Sequence, residues 1–422
     1  MHETRPANAR QRAALTVMLI AVSVAACSGA GEQAGSDGRV LALTGAIVFD
    51  GTGQPPISDG VVVVRDGMIA QVGPESEVDV PRGAEVVDLA GRWLVPGLIN
   101  AHGHVGPDGE RSSVPEQLEI YAHYGVTTVL SLGDEAEHVR DERWSPSLRR
   151  TRLFVAGPRV GASSAEEARA EVARRVDMGA DWIKAGLTNL EAGTVTRDII
   201  EAAQARGLPV AVHIERLEPA RLIVEAGAEI VAHSVRDVPV DQAFIDLMLE
   251  RDACLTPTLT RELSTFAYAE RPAFFDDPFF LERSAPEGLE AWLTPERRAQ
   301  SEGTQPRYWR EQLPLAMENL RRLHEEGVRI AMGTDSGPSG RFQGYFEHLE
   351  LEMMVEAGLT PEAVMLAATG EAARCIGLAG TVGTIEPGAW GDFVALDASP
   401  LADIRNTRRI HGVWIAGNAV SR

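Results

Sequence analysis

The chain has 422 residues, 44% hydrophobic and 24% charged, and carries a formal net charge of -21. That is enough chain for a large apolar core with an appended domain. The acidic balance argues against nucleic acid as a partner and against a polybasic grip on anionic membrane.

In residues 1–26, Arg5, Arg10 and Arg12 precede an apolar run, "AALTVMLIAVSVAA", that ends at Cys27. A basic segment, an apolar segment and small residues before a cut read as an export signal, too short for a convincing membrane span. The "VAACS" around Cys27 resembles the lipobox of bacterial lipoproteins, which implies an acylated cysteine facing the cell envelope; an ordinary cleaved signal is the alternative. Residues 27–38 are small and polar and read as a lipid-anchored flexible tether, the chain's only expected contact with a membrane.

Residues 39–90 alternate apolar and polar positions around Asp-Gly turns, as do residues 381–422, and both ends are expected to fold together as one small β-sandwich domain. Between them, residues 91–380 repeat one phrase: an amphipathic helix, a glycine stop, then a short apolar strand ending in a polar residue. The strands read "GLINAHGH", "VTTVLSL", "RLFVAGPR", "ADWIK", "LPVAVH", "AEIVAH", "ACLTPTLT" and "VRIAMGTD". This is the pattern of a (β/α)8 TIM-like barrel, an α/β fold whose functional side chains gather at the C-terminal strand ends. A doubly wound sheet would carry a phosphate-binding glycine loop near its first strand, and none is present.

The first strand ends in His102-Gly103-His104, and strand alternation turns both imidazoles to one side. Lys184, His213, His233 and Asp335 end the fourth, fifth, sixth and eighth strands. Histidine and carboxylate at equivalent strand ends suit two divalent ions, zinc or a similar metal. Lys184 is the only lysine among 40 basic residues, the rest being arginine. A guanidinium keeps its proton, whereas a lysine beside two cations can give its proton up, capture carbon dioxide and become a carbamate that bridges the ions.

The insertion 261–325, between the seventh and eighth strands, holds many of the aromatics, including Phe274, Phe275, Phe279, Phe280, Tyr308 and Trp309. It is expected to form either a lid over the site, with Tyr308 and Trp309 on the substrate, or a helical hairpin with its own small core. Arg236 and Arg159, just past strand ends, are candidates to hold a substrate carboxylate, or else surface salt bridges. In "FEHLELEMMVEAGLTP", His348 reads as a helix residue, with Glu347, Glu350 and Glu352 on a solvated face. Cys254 and Cys375 read as packing residues, with no disulfide framework or Cys-rich zinc pattern.

Taken in order, "VPGLINAHGHV", "DWIKAG", "VAVHI", "EIVAHS" and "MGTDS" resemble the amidohydrolase superfamily, in its binuclear branch with a carboxylated lysine, a group that includes prolidase-like enzymes and is related to imidazolonepropionase-like ones. The resemblance extends to the C-terminal "GTIEPGAWGDFVALDASPLADI". It implies His102, His104 and Asp335 on one ion, His213 and His233 on the other, and carboxylated Lys184 between them. It further implies hydrolysis of a C–N bond in a small molecule or short peptide, such as a dipeptide or N-acyl amino acid, by a metal-bridging hydroxide with Asp335 as general base and acid. A homo-oligomer is expected. Asn100 departs from the pattern, since many members carry aspartate there. Mononuclear deaminases and imidazolonepropionase-like ring openers lack the strand-four lysine, and deaminases usually show HxxE after strand five, where this chain has Arg216. A cyclic amide or lactone hydrolase, and a metal-containing binding protein without turnover, are the alternatives.

Overall fold

The computed structural model describes residues 39–106, 113–133, 142–188 and 190–422. The expected signal, tether and acylated Cys27 lie outside the described residues.

The chain first builds β1 (Val40–Val48), β2 (Ile57–Arg65), β3 (Met68–Pro74), β4 (Glu85–Asp88) and β5 (Trp93–Pro96). Its last strands are β13 (Phe393–Leu396), β14 (Ile410–Ile415) and β15 (Asn418–Ala419). All eight belong to one sheet in the order β15-β14-β13-β5-β1-β2-β3, with β4 also paired to β1. The sheet forks at β1: its first half pairs in parallel with β4, and Ile47 and Val48 pair with Trp93 and Leu94 of β5. Forking wraps the strands around Leu41, Leu43, Val48, Val62, Leu94 and Phe393, all buried. The two chain ends meet where β5 runs antiparallel to β13, from Trp93 opposite Leu396 to Pro96 opposite Phe393.

Between these ends lie the barrel strands, β6 (Leu98–Gly103), β7 (Val126–Ser131), β8 (Arg152–Val155), β9 (Ile183–Gly186), β10 (Val210–His213), β11 (Ile230–Ala232) and β12 (Cys254–Thr256). They form two parallel arcs, β6-β7-β8 and β9-β10-β11-β12. Asp181 N–H donates to Val155 O (2.8 Å) and joins the arcs. The eighth segment is held by isolated bridges, Leu255 with Ile330 and Gly103 with Ser336, and by Ala101 N–H donating to Met332 O (2.8 Å). The helix between β10 and β11 shows how the repeated phrase works: Leu217–Ala226 ends at Gly227, whose φ of 98° is open to glycine at little cost.

The insertion shares an aromatic cluster with neighbouring segments instead of closing on a core of its own. Tyr268, Phe275, Phe279, Phe280 and Trp292 bury against Tyr124, Phe342, Tyr345 and Phe346. Most of its aromatics are therefore committed to packing.

Two expectations need correction. Cys254 and Cys375 form a disulfide that ties the start of β12 to the end of the helix Gly370–Cys375 across 121 residues. Apolar surroundings held both cysteines, but the fold brings them together. Glu347 and Glu350 are not solvated: both are fully buried in the helix Tyr345–Glu356. Each is satisfied there by donors from barrel segments, which no helix periodicity records. Glu352 is half-buried and pairs with Arg408 (2.5 Å). His348 is a buried helix residue, as expected.

Candidate active site

The strand ends place six side chains at one mouth. His102 lies in β6 and His104 just past it, Lys184 lies in β9, His213 ends β10, and His233 follows β11. Asp335 follows the eighth segment with a φ of 57°, unusual for a residue with a side chain. Lys184 Nζ stands 3.2 Å from His102 Nε2. Asp335 Oδ1 is 2.6 Å from His104 Nε2 and 3.6 Å from His102 Nε2. His233 Nε2 is 2.7 Å from His213 Nδ1. All six line one cavity of about 420 Å³.

Close approach of neighbouring backbone makes room for the rings. A Cβ on Gly133 would stand 2.1 Å from His104 Nδ1, and one on Gly337 would meet His104 O at 2.2 Å. Glycine at both positions is what lets His104 turn inward.

The donor set fits divalent metal. Ligand atoms of His102, His233 and Asp335 lie within 4.8 Å of one another. Burial lowers His102 well below the usual histidine range, aided by Lys184, and burial likewise lowers His233, aided by His213. Burial takes His213 down to about 4, against the opposing pull of Glu215. Neutral rings keep a lone pair available for a cation. Burial would raise Asp335, but Arg341 and His104 override it and hold the carboxyl well below its usual range. His233 also orients through its other nitrogen, with Nδ1 2.7 Å from Thr258 Oγ1.

Beneath the strand-end side chains lies a buried polar network. Asn100 Oδ1 accepts from His102 N–H (2.9 Å), and Asn100 Nδ2 donates to Glu347 Oε1 (2.7 Å). Thr334 (2.8 Å) and Ser336 (2.6 Å) hydroxyls donate to that same oxygen, and Gly344 N–H donates to Oε2 (2.7 Å). Glu347 thus ties the His102 strand to the Asp335 strand.

Of the four anticipated substrate contacts, Arg159 lines the cavity; Arg236, Tyr308 and Trp309 are not among its lining residues. Arg236 is fully buried, 3.2 Å from Glu262 and stacked 4.3 Å from the Trp309 ring. Tyr308 is exposed. Two charged lining residues went unanticipated, Arg261 and Arg341. Arg341 pairs with Asp335, while Arg261 pairs with Glu262 (2.8 Å) and reaches Asp335 at 3.4 Å. Arg341 sits six residues past Asp335 in the glycine-rich "GPSGRFQG", a loop directly after a ligand strand, and that position was its only signal.

A profile of the amidohydrolase family matches residues 93–420. An imidazolonepropionase of Methylobacterium nodulans is 29% identical over 384 residues, spanning 82% of this chain and 90% of that protein. Among solved structures, a putative prolidase from Bifidobacterium longum aligns with a TM-score of 0.73 at 26% identity, covering 91% of this chain and 95% of that one. A Xaa-Pro dipeptidase with methionine bound in its active site aligns with a TM-score of 0.73 at 21% identity, covering 91% and 100%. The chain belongs to the amidohydrolase family and is a metal-dependent hydrolase of carbon–nitrogen bonds.

Proposed function

We propose that the protein cleaves the amide bond of a small substrate such as a dipeptide or N-acyl amino acid. The carrying observation is Lys184: the chain's only lysine, buried, with its amine 3.2 Å from a histidine nitrogen at the mouth of the barrel. A carbamate on that amine would hold two ions, zinc by donor type, together with His102, His104, His213, His233 and Asp335. Bound there, divalent ions would supply Lewis acidity to the carbonyl and acidity to a water. Asp335, kept ionised by Arg341 and His104, would take the proton of the attacking water and pass it to the leaving nitrogen.

Lys184→Ala tests this reading. The variant is expected to lose most of its metal by elemental analysis and most of its turnover, with partial recovery of both in short carboxylic acids. A metal-replete, fully active variant would reject it.

A cyclic amide substrate is the second reading, favoured by the 29% identity to an imidazolonepropionase. Mass spectrometry of pooled dipeptides, N-acyl amino acids, cyclic amides and lactones, incubated with zinc-loaded enzyme in bicarbonate, separates the two by the mass of the product formed.

The proposal extends to location and assembly. Residues 1–26 would direct export, and acylated Cys27 would tether a homo-oligomeric enzyme to the bacterial envelope. The Cys254–Cys375 disulfide supports an oxidising compartment. Cys27→Ala is expected to move the protein from membrane to soluble fraction; wild type already soluble would remove the anchor from the proposal.

A further inference from the structure

The cations lining the cavity are not equivalent. Arg341 pairs with Asp335, and Arg261 pairs with Glu262, a carboxylate it shares with Arg236. Arg159, also on the cavity wall, has no carboxylate within ion-pair distance among the described residues. It is nonetheless held in register with the reaction centre. The next residue, Val160, donates its N–H to Lys184 O (2.7 Å). The guanidinium lies over Gly186, two residues past Lys184, so closely that a Cβ there would stand 3.2 Å from Nη1. An uncompensated guanidinium fixed beside the strand that carries Lys184 is a place for an anion, and its planar fork suits a carboxylate held through two hydrogen bonds.

We infer that Arg159 is the specificity-determining residue of this site, binding a free carboxylate on the substrate so that its amide lies over the strand-end ligands. The inference rests on the reading of this cavity as the site of amide hydrolysis. The substrate class is then an acyl or peptidyl derivative bearing a free acid; the corresponding carboxamides, equal in shape but uncharged, are poor ligands. Arg341 and Arg261 keep their own carboxylates and leave this role to Arg159.

The test uses a library of matched pairs, each dipeptide or N-acyl amino acid as its free acid and as its carboxamide. It is run with zinc-loaded wild type, Arg159→Met and Arg159→Lys, and both bound and cleaved compounds are read by mass spectrometry. Wild type is expected to prefer free acids, and Arg159→Met to lose about 10- to 100-fold of that preference, as befits a charge-assisted contact. Its metal content is expected to stay unchanged, so the loss is read in the ratio of free acid to carboxamide. Arg159→Lys should recover only part, because an ammonium lacks the fork. A wild type indifferent to the carboxylate, or an Arg159→Met that still selects free acids, overturns the inference. Free acids selectively retained through Arg159 with no C–N bond cleaved would instead reject amide hydrolysis and leave the carboxylate site standing.

Discussion

Asn100 explains its own departure from the superfamily pattern. Its amide nitrogen donates to Glu347 Oε1 at 2.7 Å, so the position needs a donor toward Glu347 and an acceptor toward His102 N–H, which an amide supplies together. Burial already raises the Glu347 carboxyl. Asn100→Asp would set a second carboxylate against it with no cation between, and is expected to cost about 3 kcal/mol in urea unfolding. Pairing it with Glu347→Gln, which restores a donor, should recover most of that loss. If Asn100→Asp unfolds at the wild-type midpoint, the two side chains do not share the bond described. The six strand-end side chains that line the cavity were legible because each ends a short local phrase, glycine then apolar strand then polar residue. Arg261 and Arg341 were not, because in a chain that uses arginine for nearly every cation a single arginine carries no signal.

At the scale of elements, the helix Tyr345–Glu356 turns Glu347, His348 and Glu350 inward. Glu350 accepts from Leu259 N–H (2.7 Å), Thr260 N–H (2.8 Å) and the Thr260 hydroxyl (2.7 Å), and so anchors the start of the insertion. His348 donates from Nε2 to Tyr124 O (2.9 Å), and its Nδ1 lies 3.0 Å from the Thr407 hydroxyl oxygen. Burial drives His348 from 6.5 to about 3. The unfolded chain therefore binds a proton near 6.5 that the folded chain refuses until about 3. The stability this confers is complete above about pH 6.5 and is lost as pH falls toward 3. Glu350 runs the other way: burial pushes it from 4.5 up to about 7, so its contribution is fullest below 4.5 and declines as pH rises through 7. His348→Gln keeps a donor and an acceptor but cannot titrate. Denaturant unfolding is expected to show the gap between wild type and this variant narrowing from pH 7.5 to pH 4.5, and parallel curves would exclude His348 as the cause. Charged letters in "FEHLELEM" look solvated in sequence because their partners lie far away along the chain, in β6, after β12 and after the eighth segment.

For the molecule as a whole, barrel and terminal sheet share a buried pin. Arg152, at the start of β8, holds Asp392, just before β13, through Nε (2.7 Å) and Nη2 (3.0 Å), with Trp390 stacked 4.4 Å from the guanidinium. The alternation of helix and strand made the barrel legible, and the paired β-rich ends made the second domain legible, since both are periodic over tens of residues. The Cys254–Cys375 link was not, because a pairing 121 residues apart leaves no local trace. Closing a loop of that length is worth about 5 kcal/mol. Replacing both cysteines with alanine is expected to lower the unfolding free energy by roughly that amount, with metal content unaltered because the bond lies at the start of β12, away from the strand ends that line the cavity. A double variant as stable as wild type, with wild type shown to be oxidised, would discount the link as a stabiliser. The pairing of β5 with β13 has a consequence in time. Residue 93 finds its neighbour only once residue 396 has been synthesised, so one edge of β5 waits through the making of the whole barrel. Such distant pairing folds slowly and exposes an open strand meanwhile. The terminal sheet is thus completed only after the barrel strands have been made, and a ribosome stalled before β13 would carry β6 to β12 but no finished sheet to lean on.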